Sequence, residues 1–174
     1  MYIRKTRLED AEQVARVQVD SWKSTYNNIV PKEFLNKMDY DFYTKRFQEY
    51  ISDNSPISYV AIDDSNKVIG YIAGGKNRLS ELYKDYDCEI HSIYILETYQ
   101  GKQLGKKLVS VFVEDLIKLG HKKMLVQVLS ANKAIKFYEK LGKLGGYYLG
   151  SKQLMIADQK VNESVLGWKD ISKF

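Results

Sequence analysis

None of the chain's 11 glycines precedes Gly70, and both prolines, Pro31 and Pro56, do. Glycine supplies the left-handed and closely approached backbone that tight turns need. This distribution predicts a mostly helical first third, followed by strands alternating with tight turns. The hydrophobic period agrees. After a short strand at residues 2–6, Asp10 opens an amphipathic run in which Ala11, Val14, Ala15, Val17, Gln18 and Trp22 keep a helical spacing. Pro31 suits the first turn of a second helix, where its missing N–H costs nothing. Phe34, Leu35, Met38, Phe42 and Phe47 give that region an apolar face, with a break near residues 39–41.

Beyond Pro56 the period shortens. "ISYVAID" and "KVIGYIAGG" read as a hairpin around the turn "DDSN". "CEIHSIYIL" is a third strand. "GKKLVSVFVEDLIKL" is a long helix with Leu104, Leu108, Val111, Phe112, Leu116 and Leu119 on one face, stopped by Gly120 in a left-handed cap. "KKMLVQVL" is a strand, "NKAIKFYEKLG" a short helix ended by Gly142, and two strands follow near residues 146–157 and 164–170. The order is β-α-α-β-β-β-α-β-α-β-β. The strands flanking the long helix can be parallel through a crossover, and hairpins make the other pairings antiparallel. The expected fold is one α/β domain over residues 1–174, with helices layered on a mixed, mostly antiparallel sheet. A chain of 174 residues suits one domain of roughly 150.

Composition excludes several classes. With 44% hydrophobic and 28% charged residues the chain is globular rather than disordered. The lone Cys88 forbids an internal disulfide, and "MYIRKTRLED" has no secretory apolar stretch, so the expected compartment is the cytoplasm. No apolar run reaches the ~18 residues of a membrane helix. Two histidines and one cysteine are too few for a structural zinc site, so no metal is expected.

Charge is unevenly spread. Residues 1–100 carry 13 basic and 16 acidic side chains, net −3; residues 101–152 carry 11 lysines and three acids, net +8; the remainder is neutral. A basic stretch of this kind attracts phosphate-bearing partners. Residues 89–107, "EIHSIYILETYQGKQLGKK", show where one would sit. A strand runs into a turn holding Gly101 and Gly105, and the turn opens the long helix. Unpaired backbone N–H groups then gather at the positive end of a helix dipole, with Lys102, Lys106 and Lys107 around them. This is a phosphate- or pyrophosphate-binding turn, and it is neither a P-loop nor the dinucleotide glycine motif.

"IYILETYQGKQLGKKL" and "NKAIKFYEKLG" together resemble the GNAT superfamily of acyl-CoA-dependent N-acetyltransferases. The resemblance extends to the order of elements over nearly the whole chain. Gln100 and Gly105 match the outer positions of the family's Gln/Arg-x-x-Gly-x-Gly/Ala signature, and Asn132, Phe137, Tyr138, Leu141 and Gly142 match a second one. Gln103 replaces the middle glycine. If that position needs positive φ, a side chain there costs ~1–2 kcal/mol; if it needs only close approach, Gly101 can absorb the change.

The resemblance implies acetyl-CoA as cosubstrate, lying where the strand around Ile93 diverges from the strand around Val126. The backbone of Ile93, Tyr94 and Ile95 would bind the pantetheine arm like a missing strand. The N–H groups of Gln100, Gly101, Lys102, Gln103, Leu104, Gly105 and Lys106 would hold the pyrophosphate, and Asn132 would touch the cofactor. Tyr138 matches the family's usual general acid. Amine acetylation also needs a base. Strand alternation puts Glu89 and His91 on one face; the resemblance implies Glu89 as base, with His91 lining the acceptor pocket or substituting. Trp22 and Tyr26, on the loop between the first two helices, are candidate acceptor-binding residues. Cys88 reads as buried and inert.

The expected activity is acetyl transfer from acetyl-CoA to a primary amine, of a small molecule or a protein, by direct transfer in a ternary complex. The local acidity of Glu81, Asp85, Asp87 and Glu89 would suit a cationic amine. The alternatives are a non-catalytic acyl-CoA sensor of the same fold and, third, a nucleic-acid binder, against which stands the absence of arginine and stacking aromatics among the lysines. No membrane partner is expected. The C-terminal strands could pair across a two-fold in a homodimer. The 14 tyrosines, against 6 phenylalanines and 2 tryptophans, have no evident purpose in the sequence.

Overall fold

Strand pairing fixes the architecture. The computed structural model describes residues 1–53 and 56–174. Its seven strands are β1 (Tyr2–Lys5), β2 (Ile57–Ile62), β3 (Val68–Lys76), β4 (Cys88–Ile95), β5 (Met124–Leu129), β6 (Tyr147–Ile156) and β7 (Gln159–Trp168). They form one sheet in the order β1-β2-β3-β4-β5-β7-β6. The helices are α1 (Ala11–Thr25), α2 (Lys32–Asn36), α3 (Tyr40–Ser52), α4 (Leu104–Lys118) and α5 (Ile135–Glu139).

The helical first third is as the glycine distribution implies. The Asp10 carboxylate accepts from both Arg4 Nη groups, at 2.7 and 2.8 Å, and from the Arg7 N–H, fixing the chain where α1 begins. The second helical region is two helices. Asp39 divides them because its side chain accepts from the Phe42 N–H at 2.7 Å, capping α3. Pro31 sits just before α2 rather than in its first turn. α1 also runs through Trp22, so Trp22 is a helical residue and only Tyr26 begins the loop. At the far end β7 starts five residues earlier than expected. The polar "QKVNES" pairs with β6 across a turn at Ala157 (φ 54°), an edge hairpin that burial alone does not announce.

α4 covers one face of the sheet. Leu108, Val109, Phe112, Val113 and Leu116 are buried against Ile72, Ile90, Met124 and Val126, while Leu119 is exposed. Each such side chain removed from water contributes about 1.5–3 kcal/mol. Gly120 (φ 88°) ends the helix. α1 and α3 cover the other face, where Val14, Val17 and Phe47 pack on Val60, Ile62 and Tyr71.

Two irregularities in β4 position everything that follows. β4 and β5 are parallel, but they pair only at Cys88↔Met124, Glu89↔Leu125 and Ile90↔Val126. β5 stays bonded to β7 and β4 to β3, so past Ile90 the two strands diverge and leave one edge of β4 unpaired. The second irregularity is a β-bulge. Ala73 pairs with Ser92 and Gly74 with Ile90, leaving His91 as the extra residue. Gly74 is required there: a Cβ would lie 2.3 Å from the Glu89 carbonyl oxygen and 2.6 Å from Phe112. The bulge shifts the parity of the strand. Cys88, Ile90, Ile93 and Ile95 all face the α4 core, whereas Tyr94 packs toward α1 and α3. Simple alternation, which groups Glu89 with His91, therefore breaks at His91.

Candidate active site

The divergence of β4 from β5 opens a cleft of about 990 Å³, closed at one end by the start of α4 and flanked by α5. Ile93, Tyr94, Ile95, Gln100, Gly101, Gln103, Leu104, Gly105, Lys106 and Asn132 all line it, as do Tyr26, His91 and Tyr138. Lys102 is not part of the lining; its ammonium lies 5.1 Å from the centroid of the Tyr99 ring.

The turn before α4 has the geometry of an anion cradle. Gly101 adopts φ 75° and Gln103 φ 60°, both left-handed. Gln103 caps α4 without a side-chain hydrogen bond, so the first N–H groups of the helix point onward unsatisfied by it. Gln103 thus carries a strain of ~1–2 kcal/mol that glycine would not. The Gln100 amide donates to the Ile95 carbonyl at 2.9 Å and holds the turn against β4. Gly105 leaves room for Phe137, whose ring would meet a Cβ at 3.3 Å.

Tyr138 is 6% exposed, and burial pushes its hydroxyl above the ordinary phenol value, so it keeps its proton. Asn132 is buried; its amide donates to the Tyr26 hydroxyl at 3.1 Å and its oxygen accepts from the Ala134 N–H. The Trp22 indole donates to the Tyr94 hydroxyl at 2.8 Å. These bonds tie α1 and the loop after it to β4 and α5.

A second cavity, of about 500 Å³, opens on the α1/α3 side of β4. Trp22, Tyr43, Phe47, Tyr50, Tyr71 and Tyr94 form its aromatic walls. Arg46 and Arg78 also line it, and no Asp or Glu among the described residues does. His91, Ser92 and Tyr94 line both cavities, so the bulge is where they meet. The His91 ring lies with Nε2 3.0 Å from the Lys76 carbonyl, which makes Nε2 the donor and leaves the lone pair on Nδ1. Burial lowers its pKa below the usual imidazole value, against the opposing Lys76 bond, and Arg78 adds to the lowering.

Glu89 is bonded to a lining residue of each cavity, Gln127 and Arg78. It lines neither cavity, and it is fully buried on the same side of the fork as Gln127. Arg78 donates to it through Nη2 (2.5 Å), Nε (3.2 Å) and its backbone N–H (2.8 Å), and the Gln127 amide adds a fourth bond at 2.7 Å. Burial alone would raise its pKa. Those bonds more than offset burial and hold the carboxyl below the ordinary carboxylate value. The carboxylate is enclosed and takes four hydrogen bonds, which its residue type on the strand could not reveal. The acidity expected to draw a cationic amine is also misplaced: Glu81, Asp85 and Asp87 line neither cavity. Cys88 is fully buried, and burial pushes its thiol well up, as expected for an inert residue.

Sequence reasoning missed the second cavity because its walls come from α1, α3, β3 and β4, without a local motif. The tyrosine count was the signal. Tyr26, Tyr43, Tyr50, Tyr71, Tyr94, Tyr99 and Tyr138, half of the chain's 14, line one cavity or the other.

The fold and site define a splayed-sheet α/β protein that presents a strand edge and a helix N-terminus in one cleft. The chain belongs to the GNAT acetyltransferases: the profile of the Acetyltransferase (GNAT) family matches residues 19–143. YuaI of Bacillus subtilis (strain 168), an uncharacterized N-acetyltransferase, is 32% identical over 171 residues, covering 98% of this chain and 94% of its own. Among solved structures, the PaiA N-acetyltransferase of Thermoplasma acidophilum in complex with coenzyme A is similar with a TM-score of 0.73, at 23% identity over 97% of this chain and 98% of that one. The Salmonella typhimurium yncA structure with acetyl-CoA gives 0.71 at 18% identity, over 97% and 93%.

Proposed function

We propose that this protein transfers an acetyl group from acetyl-CoA to a primary amine by direct attack in a ternary complex. The observation that carries this reading is the junction at the β4 bulge. One cavity has a free strand edge and a helix N-terminus, the other has aromatic walls, and His91, Ser92 and Tyr94 belong to both. The first cavity fits acetyl-CoA on its own geometry. The unpaired β4 edge at Ile93, Tyr94 and Ile95 offers the backbone groups a pantetheine amide needs, and the turn at residues 100–106 offers N–H groups and Lys106 to a pyrophosphate. Similar solved structures hold coenzyme A or acetyl-CoA. Acetyl-CoA supplies the activated thioester; everything else is done by the chain.

Two proton transfers are needed. Nδ1 of His91, free and kept neutral by burial, accepts a proton from the amine directly or through one water. The Tyr138 hydroxyl, held protonated by its surroundings, donates to the departing thiolate. Glu89 acts at one remove: it holds Arg78 against the rim of the acceptor pocket. The acceptor amine is a small-molecule or protein amine. The test is thiol release from acetyl-CoA across amino acids, polyamines, aminoglycosides and peptide N-termini, with calorimetry of acetyl-CoA binding alongside. Turnover with one class supports the reading. Binding without turnover by any amine would favour an acyl-CoA sensor, a reading to which the strained Gln103 lends some weight.

A further inference from the structure

The acceptor pocket has an electrostatic character that the acetyltransferase reading does not predict. Six aromatic rings line it, and among the described residues its only charged lining groups are the two guanidinium groups of Arg46 and Arg78. They are not equivalent. Arg78 is matched by Glu89, whose carboxylate is fully buried behind it. Arg46, on α3, has no carboxylate partner among the described residues. Its Nε donates to the Tyr50 hydroxyl at 2.6 Å, and its guanidinium carbon lies 5.3 Å from the Tyr50 ring centroid. The fork is therefore held by a neutral partner, with both terminal nitrogens left to face another group.

We infer that the acceptor is a small amine that also bears a carboxylate, a free amino acid with an apolar side chain, and that Arg46 is the residue that selects it. This rests on the acetyltransferase reading above. The carboxylate pairs with the Arg46 fork, a bidentate geometry that arginine supplies and lysine does not. The apolar side chain lies on the aromatic walls. The amine then points toward the junction at His91. The lining also assists the chemistry. Among the described residues no carboxylate lines the pocket to hold the amine in its ammonium form. A polyamine meets the opposite situation: its second ammonium would face Arg46 with no acid among the described lining residues to pair with. A peptide N-terminus lacks the carboxylate altogether.

The experiment compares matched pairs: leucine against 3-methylbutylamine, and phenylalanine against 2-phenylethylamine, with spermidine as a polycation. Two readouts are used. One is thiol release from acetyl-CoA, corrected for the neutral-amine fraction at the assay pH. The other is calorimetric titration of each ligand into the protein with coenzyme A present, which scores preference without turnover. A charge-assisted pair to Arg46 predicts a preference of about 10- to 100-fold for each amino acid over its decarboxylated partner. Arg46→Gln should bring both ratios close to one, mainly through KM, and Arg46→Lys should restore them in part. Equal use of the members of both pairs, better use of spermidine, or ratios unchanged in Arg46→Gln overturns the inference. Failure of acetyl-CoA to bind, or binding without thiol release by any amine, counts against the acetyltransferase reading instead; the calorimetric ratios still decide the preference.

Discussion

The two cavities that meet at His91 are built on different principles. The β4/β5 cleft presents backbone: a strand edge released at Ile90 and the first N–H groups of α4. The second cavity, the acceptor pocket of the proposed function, is lined by side chains gathered from four elements, Trp22 on α1, Tyr43, Arg46 and Tyr50 on α3, Tyr71 on β3 and Tyr94 on β4. Backbone recognition survives most substitutions, because any residue that keeps the strand and the turn keeps the donors and acceptors. Side-chain recognition changes with single substitutions. In the proposed reaction the fold thus holds the cofactor half constant and leaves the acceptor half open to change.

Four substitutions test that division. The largest expected effect is at Tyr138. Tyr138→Phe removes only the hydroxyl, so kcat should fall about 10²- to 10⁴-fold, the usual worth of a positioned proton donor, with calorimetric affinity for acetyl-CoA retained. Full activity would sink the assignment of Tyr138 as the proton donor.

Next is His91→Gln, which should lower kcat/KM by about 100-fold and remove the acid limb of the pH profile. Only neutral His91 can accept a proton, and burial lowers its folded pKa below 6.5. Wild-type activity should therefore persist below pH 6.5 and fall only as the pH passes the depressed value. An acid limb centred above 6.5, or one that survives in His91→Gln, would assign it to another group.

Glu89→Gln reads out structure more than chemistry. The carboxylate is buried but Arg78 is about half exposed, at 53%, so removing the charge does not strand a buried cation. The loss should be about 1–3 kcal/mol in urea denaturation at neutral pH, from the altered hydrogen bonds. Glu89 has a folded pKa below its ordinary value of 4.5, so its contribution is present above 4.5 and disappears as pH falls through the folded value. The substituted protein should lack that part of the acid-side loss. Turnover reduced about 1,000-fold with stability unchanged would return Glu89 to the role of base.

The smallest effect is at Gln103. Gln103→Gly relieves a left-handed residue, offset in part by glycine's greater freedom when unfolded, for a net gain of about 1 kcal/mol or less. The gain should appear as a slightly higher Tm or an affinity for acetyl-CoA raised no more than about fivefold. No change in acceptor preference should accompany it.

The cleft was legible in the sequence because its parts are local. A strand, two glycines and a helix lie within residues 89–107, and a second segment beginning at Asn132 supplies Tyr138. The element order was legible too, since the periods differ so clearly before and after Pro56. The pocket was not, because residues from Trp22 to Tyr94 meet only once α1 and α3 pack on the sheet. The surroundings of Glu89 were hidden for a related reason. Its partner Arg78 is 11 residues away and reaches it only through the chain leaving β3. Alternation along β4 predicted a face for His91, but one inserted residue cancels alternation.

That inserted residue sets the phase of the strand. Upstream of it the even-numbered residues of β4 meet α4; downstream the odd-numbered ones do. Were β4 to pair with β3 without the bulge, His91 taking the place of Ser92 opposite Ala73, Tyr94 would be turned into the α4 core and Ile93 and Ile95 toward the aromatic pocket. The fold would survive and its two rooms would exchange furniture. The pairing at the bulge, which Gly74 permits, is therefore what selection must guard at this point.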